Sequence, residues 1–259
     1  MMKISELQTY KEQGEKITCL TAYDSSFAQV FDECGIDIIL IGDSLGNVIK
    51  GGENTLCVGM SDMVYHTQAV AQGVKKALLI ADMPHQSYTN AEQTLANAQR
   101  LINAGAQMVK LEGGRKLEAS FKILYENNIP VCGHLGLQPQ SVIEMGGYKV
   151  QGRDNDSAQR ILDDAKALEN WGVKTLVIEC IPATLGKKIS KQLTIPTIGI
   201  GAGVDCDGQV LVSYDMLGIT QNTPKFVKNF LTNGNIQSAT NDFIQAIKNS
   251  TFPADVHSY

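Results

Sequence analysis

Alternating strand and helix signals predict that this chain of 259 residues is an α/β protein that folds as a (β/α)8 TIM barrel. Three times, a glycine typical of a helix end is followed by a short apolar run that stops at an acidic residue. In chain order these pairs are Gly35 and Asp43, Gly105 and Glu112, and Gly172 and Glu179. Such runs are typical of strands in a parallel sheet buried on both faces. Periodicity alone leaves an open, doubly wound sheet as the alternative.

We predict eight strands, separated by segments with helical start and stop signals. The strands cover residues 17–23, 36–42, 77–81, 107–111, 130–133, 175–178, 196–200 and 209–212. Helices between consecutive strands make those strands parallel, because a parallel pair needs a long crossover connection. Further helices are predicted at residues 61–74, 157–171 and 236–248.

The helix before the fourth strand shows these signals most clearly. Capping-box spacing at residues 89–92 indicates its start, and Leu95, Ala98 and Ile102 recur on one helical face. Gly105 supplies a C-terminal stop.

Composition and charge limit the possible classes of protein. With 43% hydrophobic and 19% charged residues, the chain can bury a large core, and we expect one barrel domain over residues 1–259 with a short N-terminal helix at residues 4–13. A net charge of −5 and a pI near 5.4 argue against nucleic-acid binding. No signal peptide and no membrane-spanning run of ~20 apolar residues is recognisable, so we expect a cytoplasmic protein.

Several conspicuous residues favour structural roles. The six cysteines are scattered without a Cys-x-x-Cys pair, which predicts reduced thiols and neither disulfides nor a zinc site. We interpret the glycine-rich segment 199–203 as a tight turn, and His66 as a packed or surface side chain on a helix.

Polar side chains follow five of the predicted strands at their C-terminal ends. They are Asp43, Ser44, Asp82, Lys110, Glu112, His134 and Glu179. Each one alone also has a structural interpretation as a cap or an ion-pair partner. Because barrel enzymes place their reacting groups at these strand ends, we expect the seven side chains to share one cleft.

Carboxylates that converge on a small cleft repel one another unless a cation is present. Oxygen ligands without clustered Cys or His favour a hard ion such as Mg²⁺. A metal held in this way can bind a 2-oxo acid and stabilise the enolate that forms when a neighbouring carbon loses its proton. Glu179 is the candidate base, since it stands on a more distant strand and ends a strongly apolar run.

Three alternatives remain open at this point. Lys110 is also a candidate for a Schiff base with a keto acid. A related metal-dependent barrel of the phosphoenolpyruvate-binding type would cleave or form carbon–carbon bonds in another 2-oxo acid. A barrel kept only as a scaffold is disfavoured, because it has no need of so many buried charges.

Two long irregular stretches, residues 47–59 and 135–156, follow the second and fifth strands. Long loops at these barrel ends commonly build binding sites. Within the second stretch, the glycine-flanked segment 146–153 is the candidate for a loop that closes over the cleft.

Ordered motifs along nearly the whole chain carry a specific resemblance. They are TAYD (21–24), GDSLG (42–46), YH (65–66), ADMP (81–84), VKLEGG (109–114), CGHLGL (132–137), GGYKVQGR (146–153), ECIP (179–182), IGIGAG (198–203) and PKF (224–226). In these motifs the chain resembles the ketopantoate hydroxymethyltransferase family. The resemblance implies a TIM barrel of the phosphoenolpyruvate- and pyruvate-binding type.

It also implies transfer of a one-carbon unit from 5,10-methylenetetrahydrofolate to 3-methyl-2-oxobutanoate, giving 2-dehydropantoate for pantothenate and coenzyme A synthesis. By the same resemblance, Asp43, Asp82 and Glu112 form a Mg²⁺ site, with Glu112 able to act through water. Glu179 is the proton acceptor. Keto-acid contacts fall on Asp43, Ser44, Asp82, Lys110 and His134. The family forms large homo-oligomers, commonly decamers.

Three positions depart from the family pattern. Cys57 stands where proline is usual, Gly59 where threonine is usual, and His85 where the family tends to an apolar residue. None is a proposed metal or base position, so we expect altered loop packing more than altered activity. His85 would perturb the cleft if its side chain pointed inward.

Overall fold

The computed structural model describes residues 1–259 and shows eight parallel strands closed into a barrel. The strands are β1 (Ile17–Thr21), β2 (Ile38–Ile41), β3 (Leu78–Asp82), β4 (Met108–Glu112), β5 (Val131–Gly136), β6 (Thr175–Glu179), β7 (Thr197–Ile200) and β8 (Gly208–Leu211). They pair in chain order, and β8 closes the barrel by pairing with β1, Val210 opposite Cys19. Closure confirms the predicted TIM barrel and excludes the open sheet, which would leave two unpaired edges.

Helices connect most of the strands and cover the outside of the barrel. They are α1 (Ile4–Gln13), α2 (Ser25–Cys34), α3 (Leu45–Val48), α4 (Met60–Gly73), α5 (Ala91–Asn103), α6 (Glu118–Glu126), α7 (Asn155–Asn170), α8 (Ala183–Gln192), α9 (Ser213–Met216) and α10 (Ile236–Lys248). None of them combines the length and the apolar character that crossing a membrane requires.

Side-chain caps decide where two of these helices begin. The Asp154 carboxylate accepts a hydrogen bond from the Ser157 amide at 2.8 Å, so α7 starts two residues before its predicted start. At α5, the Asn90 side chain accepts from the Gln93 amide at 2.9 Å, one residue after the Thr89 that the capping-box spacing suggested. In both helices the cap satisfies an amide of the first turn that has no partner within the helix.

The hydrophobic core lies between the strands and the surrounding helices. Every strand residue is buried except Glu179, which is partly exposed. The helices contribute apolar faces that include Phe31 of α2, Leu101 of α5 and Phe243 of α10, each without measurable exposure. At the C-terminal ends of the strands the buried residues become polar, and there the barrel opens into a cleft.

Candidate active site

A cavity of about 950 Å³ occupies the C-terminal end of the barrel. All seven side chains that the sequence placed at strand ends line it: Asp43, Ser44, Asp82, Lys110, Glu112, His134 and Glu179. The strand-end positions therefore converge as the barrel geometry predicts. The remaining residues of the lining come from the loops and from the far side of the barrel.

The Lys110 ammonium lies at the centre of this polar cluster. Its Nζ is 3.1 Å from Asp82 Oδ1, 3.8 Å from Glu112 Oε1 and 3.2 Å from His134 Nδ1. Burial alone lowers the pKa of Lys110, but the charges of Asp82, Glu112 and Asp43 outweigh it and raise the pKa. The side chain is therefore a buried, permanent cation at neutral pH.

Asp43 and Asp82 carry more negative charge than this single cation balances. Asp82 Oδ2 accepts a hydrogen bond from the Asp43 amide at 3.0 Å, whereas Asp82 Oδ1 faces Lys110 without a well-directed hydrogen bond. Burial raises the pKa of Asp43 well above its usual value, and the charges of Asp82 and Glu112 raise it further. Burial also raises the pKa of Asp82. Both shifts indicate a site that favours an additional cation.

Gln140, which the sequence did not single out, ties two of the carboxylates together. Its Nε2 donates to Asp43 Oδ2 at 2.7 Å and to the Met83 carbonyl at 2.9 Å, and its backbone amide donates to Glu112 Oε2 at 2.9 Å. The Tyr88 hydroxyl donates to Gln140 Oε1. Gln140 thus fixes the orientation of Asp43 and Glu112 from the loop after β5. No sequence pattern distinguishes it from other loop amides.

His134 connects the carboxylate cluster to the candidate base. Its Nδ1 lies 3.2 Å from Glu112 Oε1, and its Nε2 lies 3.2 Å from Glu179 Oε2. Burial and the Lys110 charge lower the pKa of His134, but the two carboxylates outweigh them and raise it to about 9. Nδ1 thus lies between the Lys110 ammonium and Glu112, and only its contact with Lys110 has hydrogen-bond geometry. Nε2 lies beside Glu179 but is too poorly aligned for a hydrogen bond.

Backbone contacts at the end of β6 fix the position of Glu179. Its carbonyl oxygen accepts a hydrogen bond from the Leu137 amide at 2.9 Å. Gly136 has φ +91°, and a Cβ placed on it would lie 2.1 Å from the same oxygen, so only glycine fits there. Cys180, the residue after Glu179, is buried with φ +47°, a conformation that non-glycine residues rarely adopt.

Ser44 is held by a tyrosine that sequence reasoning also missed. The Tyr23 hydroxyl lies 2.8 Å from Ser44 Oγ, and burial raises the pKa of Tyr23, so the phenol stays neutral. His66 Nδ1 lies 2.6 Å from the Tyr23 carbonyl oxygen and does not line the cavity. His66 is therefore a packed side chain on α4, in agreement with its interpretation as a structural residue.

The loop departures lie away from the site. Cys57 is exposed and His85 is partly exposed, and neither lines the cavity. Gly59 precedes α4, where its amide donates to Asp62 Oδ2 at 2.9 Å. By contrast, the segment 146–153 contributes Tyr148 and Arg153 to the cavity wall.

The carboxylate oxygens are ligands of the type that a divalent cation prefers, although they do not converge on a common point. The His, Cys, Asp and Glu side chains form no ready-made three-ligand site, since Lys110 and Gln140 stand among the acids. Asp82 Oδ1 has only the Lys110 ammonium beside it and no well-directed hydrogen bond, and burial raises the pKa of Asp43, so an added cation would stabilise both carboxylates. A hard cation that completes its ligand shell with water or substrate oxygens suits such donors.

A family model described as ketopantoate hydroxymethyltransferase matches residues 1–255. The chain belongs to the ketopantoate hydroxymethyltransferase family. Its relatives include 3-methyl-2-oxobutanoate hydroxymethyltransferases from Ruthia magnifica subsp. Calyptogena magnifica, 69% identical with 100% of each chain covered, and from Shewanella frigidimarina, 56% identical with 98% of this chain and 97% of the relative covered.

Several solved structures share the barrel fold of this ketopantoate hydroxymethyltransferase family member. A phosphonopyruvate hydrolase complex with oxalate and Mg²⁺ covers 82% of this chain and 81% of its own, with a TM-score of 0.63 at 15% identity. A 2,3-dimethylmalate lyase of the PEP mutase/isocitrate lyase superfamily covers 85% and 84%, with a TM-score of 0.61 at 13% identity. At these identities the likeness shows the shared barrel fold alone.

Proposed function

We propose that the protein transfers a hydroxymethyl group from 5,10-methylenetetrahydrofolate to 3-methyl-2-oxobutanoate. The product is 2-dehydropantoate, for pantothenate and coenzyme A synthesis, and tetrahydrofolate is released. The observation that carries the proposal is the position of Glu179 at the edge of a buried cluster of Lys110, His134 and carboxylates in one cavity. Family membership and the names of the relatives support the same reaction.

The residues of the cluster divide the work of the first half-reaction. Glu179 accepts the C3 proton of the keto acid, and His134 Nε2 lies 3.2 Å from its carboxylate. The Lys110 ammonium offsets negative charge that develops on the substrate oxygens. Ser44, oriented by Tyr23, supplies a hydroxyl to the keto acid. The C3 carbon then forms its bond to the methylene carbon of the folate, water supplies the hydroxyl oxygen, and both carbon–nitrogen bonds of that methylene break to release tetrahydrofolate.

Asp43, Asp82 and Glu112 are the residues that would hold Mg²⁺, with Glu112 acting through water. Bound there, Mg²⁺ supplies a Lewis acid that polarises the keto oxygen and makes the C3 proton more acidic. Gln140 keeps Asp43 and Glu112 oriented toward the cavity. Added positive charge also relieves the repulsion among the three buried carboxylates.

The Schiff-base alternative for Lys110 has less support. An amine attacks a carbonyl only when it is unprotonated, whereas the carboxylates around Lys110 favour its charged form. Borohydride reduction in the presence of the keto acid is the direct test. We expect no adduct on Lys110 by mass spectrometry.

Proton exchange tests the role of Glu179. The wild-type protein, supplied with Mg²⁺ and no folate, should exchange the C3 hydrogen of 3-methyl-2-oxobutanoate for deuterium, as followed by NMR. Glu179→Gln should slow the exchange by roughly 100-fold or more while keto-acid binding, measured by calorimetry, stays within a few-fold. The matched control is Glu53→Gln, since Glu53 is an exposed acid on the cavity rim. Exchange at the wild-type rate in Glu179→Gln would refute the assignment.

Three broader features belong to the same proposal, and the homo-oligomer among them rests on the family resemblance. The protein is a cytoplasmic homo-oligomer, a decamer with ten times the 28.1 kDa mass of one chain, which light scattering would measure directly. The segment 146–153 closes over bound substrate, and protection of this segment from proteolysis by keto acid and Mg²⁺ would report that closure. Cleavage at an unchanged rate would oppose the closure.

A further inference from the structure

One wall of the cavity takes no part in the proposed chemistry of the keto acid. At about 950 Å³ it lies near the upper end of the roughly 300–1,000 Å³ of pockets that hold drug-sized ligands. A five-carbon keto acid at the Lys110 cluster leaves most of this space empty. The opposite part of the lining follows β8 and includes Val212, Asp215, Thr220 and Asn222.

Asp215 is the unexplained residue of that wall. It lies on α9 with 8% of its surface exposed, and it lines the cavity. No ion pair of the protein includes it. Burial raises the pKa of Asp215, and a hydrogen bond with Thr220 only partly opposes this. A buried carboxylate without a cation is costly to keep unless a ligand supplies matching donors.

The other acids of the cavity are already occupied or hydrated. Asp43 accepts a hydrogen bond from Gln140 and belongs to the proposed Mg²⁺ site. Asp82 and Glu112 contact Lys110, and Glu179 contacts His134. Glu53 is exposed at the rim, where water solvates it and a ligand gains little from pairing with it. Asp215 is therefore the acid with the most to gain from a ligand with two adjacent N–H donors.

We propose that Asp215 binds the pterin ring of the folate co-substrate, its two carboxylate oxygens accepting hydrogen bonds from the ring N3–H and the 2-amino group. These two donors lie side by side on one edge of the pterin, the arrangement that a carboxylate accepts in a bidentate pair with arginine. This inference rests on the proposed hydroxymethyl transfer and specifies where its second substrate binds.

The surroundings of Asp215 suit a flat, partly polar ring. Val212 and Phe226 line the same cavity and offer apolar surface to the ring faces. Thr220 is partly exposed and Asn222 is exposed, so polarity increases from the buried carboxylate toward the rim. Asn222 also has φ +56°, an uncommon conformation at a residue that lines the cavity.

Asp215→Asn tests the inference, because it keeps the shape of the side chain and its contact with Thr220 while removing one acceptor and the charge. We expect KM for methylenetetrahydrofolate to rise roughly 10- to 100-fold, the range for a lost charge-assisted pair. Keto-acid binding, measured by calorimetry, and folate-independent C3 exchange should stay within about twofold, since neither involves the pterin. Glu53→Gln is the matched control and should leave the KM for folate and keto-acid binding unchanged.

A folate analogue without the 2-amino group separates recognition from a structural effect. Wild-type protein should bind the tetrahydro form of this analogue roughly 10- to 100-fold more weakly than tetrahydrofolate, whereas Asp215→Asn should discriminate far less between them. If Asp215→Asn keeps the wild-type KM for folate, or retains full discrimination, the pterin does not bind at Asp215. Wild-type protein that neither exchanges C3 nor transfers the one-carbon unit would instead refute the proposed function itself.

Discussion

Replacing Gln140 with leucine removes the side chain that connects the carboxylates to the loop after β5. Leucine has a similar volume, so the change isolates hydrogen bonding more than packing. Three buried groups lose their partner: Asp43 Oδ2, the Met83 carbonyl and the Tyr88 hydroxyl. The backbone amide of residue 140 still donates to Glu112, which keeps the loop attached.

The expected cost follows from these three groups. A buried polar group left without a hydrogen bond costs about 1–3 kcal/mol, and a charged acceptor such as Asp43 lies at the upper end. The Tyr88 hydroxyl has a partial substitute in the Glu112 carbonyl 3.4 Å away. We therefore expect Gln140→Leu to lower the free energy of unfolding by roughly 3–5 kcal/mol, or the Tm by about 6–20 °C.

Thermal and urea unfolding, followed by circular dichroism in the presence of a chelator, measure this loss. Tyr88→Phe is the control, since it removes the hydrogen bond to Gln140 and the long contact with the Glu112 carbonyl but leaves Asp43 paired, and it should cost about 1 kcal/mol. Added Mg²⁺ should recover part of the Gln140→Leu loss, because a cation replaces the amide as the partner of Asp43. A Gln140→Leu protein as stable as Tyr88→Phe would refute the calculated role of the amide.

Three further changes have outcomes set by the same geometry. Lys110→Met should destabilise the metal-free protein by about 3–5 kcal/mol in urea unfolding, because its buried carboxylate partners lose their cation. A loss below about 1 kcal/mol would contradict the ion-pair geometry. Gly136→Ala should displace the backbone of Glu179 and slow C3 exchange by roughly 100-fold, because a Cβ at position 136 would collide with the Glu179 carbonyl oxygen. An unchanged rate would show that this collision has no consequence for Glu179. With a thiol reagent added to the native protein, Cys57 should react first because it is exposed. Cys206 is buried and its pKa is raised to about 11, so it should react only on unfolding. The reverse order would contradict the observed burial.

Much of the barrel was predictable because its signals are local. Short apolar runs identified the strands, three of them after helix-ending glycines, although the ends shifted, as for β2, predicted at residues 36–42 and observed at Ile38–Ile41. Helix starts shifted for a similar reason, since a cap such as Asp154 acts through its contact with one particular amide. Strand-end position also brought Asp43 and Glu179 into the predicted cleft, because a closed parallel barrel brings the C-terminal ends of its strands together.

The sequence by itself thus determined the order of elements, the parallel strands and the set of strand-end polar residues, all consequences of hydrophobic periodicity and turn chemistry within short windows. Closure of the sheet was left open by periodicity and was decided by the pairing of β8 with β1. Only the tertiary structure decided which of those residues touch. Gln140 reaches Asp43 across 97 positions of sequence, and Asp215 shares a cavity with Glu179 from two strands away. Such contacts depend on how loops return over the barrel, and distances of a few tenths of an ångström decide the charges and hydrogen bonds within the site.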